Sequence, residues 1–92
     1  MEITDIRLRL VEGEGKVRGV VSITLENCFV IHDIKLVEGF NGLFVAMPSR
    51  KGPDGVYRDI AHPIELETRQ KISEMIIRIY NEKLAGQETA EG

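Results

Sequence analysis

Residues 41–63, NGLFVAMPSRKGPDGVYRDIAHP, set two extended runs against each other across a basic turn, and the rest of the chain builds outward from them. Leu43 to Met47 is short and rich in strand-favouring residues. Asn41-Gly42 bounds it on one side and Pro48 on the other, so the composition predicts a strand buried on both faces. Pro48 has no N–H and ends the ladder there. Pro53-Asp54-Gly55 combines a fixed φ, a side-chain oxygen that bonds local backbone and a residue tolerant of positive φ. It is predicted to turn the chain into a second strand, Val56 to Ala61. Arg50 and Lys51 then sit at the mouth of the hairpin.

Upstream, residues alternate. From Glu2 to Val11, Thr4, Ile6, Leu8 and Leu10 oppose Asp5, Arg7 and Arg9, the period of two of a half-buried strand. Glu12-Gly13-Glu14-Gly15 has turn composition. Alternation resumes from Lys16 to Leu25, with Val17, Gly19, Val21, Ile23 and Leu25 opposed to Lys16, Arg18, Ser22 and Thr24. The outer faces of this hairpin collect Arg7, Arg9, Lys16 and Arg18 beside Asp5, Glu12 and Glu14: a solvated mixed-charge surface, or one that touches phosphates. After a tight turn at Glu26-Asn27, strict alternation places Cys28, Val30, His32, Ile34 and Leu36 on one face, and Phe29 and Ile31 with Asp33 and Lys35 on the other. Middle strands apolar on both faces, served by one helix, imply a second copy of the chain as cover.

Beyond His62-Pro63 the period lengthens. From Leu66 onward, Ile72, Met75, Ile76, Ile79, Tyr80 and Leu84 recur at three and four, one apolar stripe of a helix starting within residues 64–68. Gly86 is expected to stop it. The expected architecture is α+β: a five-stranded antiparallel meander sheet with one C-terminal helix, homodimeric. Residues 1–86 form one domain and 87–92 a flexible acidic tail.

A chain of 92 residues with 42% hydrophobic and 29% charged residues is of single-domain size, and no apolar run approaches the ~20 residues needed to span a bilayer. Neither a membrane segment nor a signal peptide is read, so cytoplasm is the expected compartment. One cysteine, Cys28, makes no intrachain disulfide and is expected as a small buried residue. The net charge of −3 argues against a generic polyanion binder, although residues 1–86 carry 12 basic against 13 acidic side chains. Any nucleic-acid surface is therefore a local patch.

Catalytic chemistry is sparse. Cys28, His32, His62 and scattered carboxylates lack metal-ligand spacing, and no phosphate-binding glycine loop or activated nucleophile is evident. Hence no enzyme, cofactor or small-molecule substrate is expected, and both histidines read as hydrogen-bonded structural residues. Arg50, Lys51, Arg58, Arg69 and Lys71 gather positive charge in a segment whose acids are Asp54, Asp59, Glu65 and Glu67. On composition this is either an anion site or a soluble surface laced with i,i+4 pairs such as Glu65–Arg69 and Glu67–Lys71.

The run Asn41 to Ser49, the two basic residues after it, Pro53-Asp54-Gly55 and Arg58-Asp59-Ile60-Ala61-His62-Pro63-Ile64 closely resemble the bacterial SpoVG family. So do Thr4 to Arg9, Ser22 to Leu25 and Phe29 to Lys35. The resemblance implies a small dimeric α+β regulator of septation and sporulation that binds DNA and RNA. It assigns nucleic-acid contact to Arg50 and Lys51, and more weakly to Arg58 and Lys35. The rival expectation is a protein-interaction adaptor in cell division that binds no nucleic acid.

Overall fold

The computed structural model describes residues 2–13 and 15–91, the last five of these as backbone only. Four strands, β1 (Ile3–Leu10), β2 (Val17–Leu25), β3 (Phe29–Gly39) and β4 (Gly42–Ala46), form an antiparallel sheet in sequential order. Two short strands, β5 (Ser49–Lys51) and β6 (Tyr57–Asp59), pair only with each other, and the helix α1 (Leu66–Glu91) follows. The fold is thus α+β as expected, with four meander strands and a separate ribbon in place of five strands in one sheet. Pro48 explains the division: without an N–H it cannot continue the β4 ladder, and its carbonyl instead accepts the Ile60 N–H at 2.7 Å.

The helix covers one face of the sheet. Val21, Ile23, Ile34, Leu36 and Ile76 are almost wholly buried, joined by Leu8, Leu25, Met47 and Ile72. At roughly 1.5–3 kcal/mol for each aliphatic side chain fully removed from water, this cluster supplies most of the fold's apolar stabilisation. Alternation predicted the buried face of β1 and β2 correctly. Lys83 adds a polar tie, its Nζ donating to the Leu8 carbonyl at 2.6 Å and holding the late helix to β1.

Strict alternation fails in β3. Between the pairs Ile23↔Ile31 and Val21↔Ile34, β2 advances two residues while β3 advances three, and Asp33 takes up the extra residue at φ 63°. This bulge moves Ile31 onto the core face with Ile34 and Leu36, while His32 turns to Ser22 on the opposite face. The predicted grouping of Cys28, Val30, His32, Ile34 and Leu36 is therefore corrected, and much of the two-sided apolarity of β3 is a slip in phase. Cys28 is exposed, not buried. It closes a two-residue turn in which Glu26 (φ 51°) and Asn27 (φ 54°) are both left-handed and the Cys28 N–H donates to Leu25 O, which faces it toward water.

Three more expectations change. Leu43 to Met47 is not buried on both faces: β4 is an edge strand whose Phe44 is 49% exposed. Gly86 does not end the helix, which runs on to Glu91; one glycine costs about 1 kcal/mol, and Ala85, Gln87 and Glu88 around it suit a helix. The expected tail is therefore helical to Glu91, and Gly92 lies outside the described residues. Glu65–Arg69 and Glu67–Lys71 form no ion pair; Glu65 accepts the Thr68 hydroxyl at 2.9 Å instead.

Candidate nucleic-acid interface

The basic pair predicted at the mouth of a turn lies in a strand. Ser49, Arg50 and Lys51 pair with Asp59, Arg58 and Tyr57 respectively, and the reversal runs from Gly52 to Val56. Neighbours on a strand project to opposite faces. Arg50 therefore shares a ribbon face with Arg58, and Lys51 shares the other with Tyr57. All six strand residues are exposed, and the ribbon bounds a shallow depression lined by Arg50, Lys51, Gly52, Pro53, Arg58 and Asp59.

Two arginines directly opposite repel each other. Asp54 relieves the conflict: its Oδ2 accepts Arg58 Nη2 at 2.7 Å and its Oδ1 accepts Arg58 Nη1 at 3.2 Å. The same Oδ1 accepts the Val56 N–H at 3.1 Å, while Gly52 N–H donates to Val56 O and Gly55 N–H to Gly52 O. Gly55, at φ 83°, occupies a left-handed position that a side chain would strain. Arg58, followed by the Val56 amide, holds the Asp54 carboxyl below the ordinary aspartate range.

Arg58 is thus committed within the loop, its charge offset by Asp54. Arg50 and Lys51 have no carboxylate within ion-pair distance among the described residues. In the sequence Asp54 reads as a turn residue and as one of the segment's acids, without a partner; its spacing of four from Arg58, spanning the Pro-Asp-Gly turn, is the signal that marks the pair. Lys35 lies elsewhere, on β3, in register with Val20 and through it with Arg9 on β1. It joins a sheet face and not the ribbon. His32 Nδ1 lies 2.9 Å from Ser22 Oγ and His62 Nδ1 3.0 Å from Pro63 O, and no group of three metal-ligating side chains occurs among the described residues.

Comparison with known proteins gives this geometry a context. The SpoVG family model matches residues 1–82. The chain belongs to the SpoVG family. "Putative septation protein SpoVG" of Acetivibrio thermocellus is 58% identical over 92 residues, all of this chain and 98% of the relative. The protein of the same name from Clostridium beijerinckii is 55% identical over the full length of both chains. That from Clostridium perfringens is 59% identical over 80 residues, 87% of this chain and 89% of the relative. All three relatives carry the name of a septation protein. No helix among the described residues is long and apolar enough to cross a membrane.

Proposed function

We propose that this SpoVG protein is a nucleic-acid-binding regulator of septation and sporulation-type processes, acting in the cytoplasm as a homodimer that grips phosphates of DNA or RNA through its β5–β6 ribbons. One observation carries the reading: Arg50 and Lys51 stand exposed and unpaired among the described residues, on a ribbon that Asp54 and Arg58 brace from within. Rigid presentation without local neutralisation is what a phosphate contact requires. Dimerisation is supported by Ile60, Ile64 and Leu66, each more than half exposed within one short segment beyond the ribbon. Such a run of large apolar side chains is suited to cover by a second copy.

Two unneutralised cations per subunit, doubled by the dimer, give a log–log salt slope of about −3.6 on duplex DNA. The test is the affinity of Arg50→Ala/Lys51→Ala for duplex DNA over a salt series. A slope that collapses toward zero supports the ribbon; an unchanged affinity and slope overturns it. Binding of a division protein that resists nuclease and is indifferent to salt would favour the adaptor reading, which the same exposed apolar segment could serve.

A further inference from the structure

The sheet has a second face that the helix leaves open. Its residues follow from the register: Arg7 with Ser22 and His32, then Arg9 with Val20, Lys35 and Ala46, then Val37 with Phe44. Phe44 is set in an unusual way. A Cβ added to Gly39 would stand 2.7 Å from Phe44 Cε1 and 3.0 Å from Cδ1, so the ring lies against bare backbone, a contact that any larger residue at position 39 would push away. Half of Phe44 remains exposed, on the edge strand, one pleat from the Arg9–Lys35 row. Among the described residues Arg9 and Lys35 make no ion pair, whereas Arg7 pairs with Asp5 and Arg18 with Glu38; Asp33 lies beside Arg7 and Arg9 at the bulge.

We infer that this open sheet face binds a single-stranded nucleic-acid segment, with a base stacked on Phe44 and the neighbouring phosphates met by Arg9 and Lys35. An aromatic ring seated on a sheet beside a row of cations offers stacking to any base and charge to any backbone. A duplex withholds its base faces in the helical stack, so the site selects unpaired strands. This rests on the nucleic-acid reading above and adds a strand class to it; Lys35 contributes here and not at the ribbon.

The chain contains no tryptophan, so Phe44→Trp places a lone indole reporter at the site. Titration with single-stranded DNA and RNA oligonucleotides is expected to quench its emission, and a duplex of the same sequence to leave it unchanged. Phe44→Leu, which keeps an apolar side chain on Gly39, is expected to weaken single-strand binding roughly five- to a hundredfold. Arg9→Gln/Lys35→Gln should lower the salt slope for single strands by about 1.4. If wild-type protein binds but the indole stays unquenched and Phe44→Leu binds as well as wild type, the sheet-face site is overturned and the ribbon reading stands. If wild-type protein binds neither single strands nor duplex, both fall. Loss of the dimer in Phe44→Leu would also overturn the site, by making this face the contact between copies.

Discussion

The sheet–helix body and the β5–β6 ribbon are held together by different physics. In the body, side chains such as Ile23, Leu36 and Ile76 are removed from water, and stability is a matter of apolar area. In the ribbon every strand residue is exposed, and its shape rests on a few local bonds: Asp54 to Arg58 and Val56, Gly52 to Val56, and Pro48 to Ile60. A region without a core presents its cations without burying them. It does so because the body supplies the anchor, Met47, next to the proline where the ribbon begins.

Substitution can break this contrast. Ile76→Ala removes a wholly buried side chain between helix and sheet and should cost about 2–5 kcal/mol in urea or thermal unfolding. Arg50→Ala/Lys51→Ala should move the same transition by no more than ~0.5 kcal/mol while changing nucleic-acid affinity. Equal losses from the two variants would mean that ribbon and body unfold as one. Gly55→Ala comes next in size: forcing a side chain into the left-handed region costs about 1–2 kcal/mol. Its effect should appear as roughly tenfold faster hydrogen exchange at the Gly52 and Val56 amides, with protection in β2 and β3 untouched.

The smallest effect is electrostatic. Because the folded Asp54 titrates below its unfolded value, the Asp54–Arg58 pair contributes fully above about pH 4 and is lost as pH falls through the lower folded value. The Val56 amide resonance, reporting its bond to Asp54, should hold steady from neutrality and shift only below that range. Arg58→Ala should bring the Asp54 midpoint back up toward the ordinary aspartate value, as followed by carboxyl NMR titration. No change in midpoint would mean that the pair does not brace the loop in solution.

Most of the fold was legible in residue order. Period-two runs placed Leu8, Val21, Ile23 and Leu25 on the inner face, and period 3.6 placed Ile72 and Ile76 on the helix. The turn at Pro53-Asp54-Gly55 was also readable, because these residue types restrict φ or bond their own backbone. Ile77, packed against the core, escaped the helical stripe because only packing decides how wide an apolar face is buried. At the candidate site, Arg50 and Lys51 could be chosen from the sequence, but their opposite orientations on a ribbon could not. That depends on which strand each residue pairs with, a long-range fact.

By itself, then, the sequence determined the element types, the meander order, the turns and the family, all of which follow from local propensity, periodicity and motif. Only the tertiary structure decided where periodicity slips. The bulge at Asp33 sends Ile31 inward and His32 outward, and β5 and β6, beyond the ladder end already readable at Pro48, pair only with each other. It also decided which cations remain unneutralised: Arg58 is joined to Asp54, whereas Arg9, Lys35, Arg50 and Lys51 meet no carboxylate among the described residues. Charge is written in the sequence one residue at a time, but its neutralisation depends on neighbours that pairing and packing bring within a few ångströms.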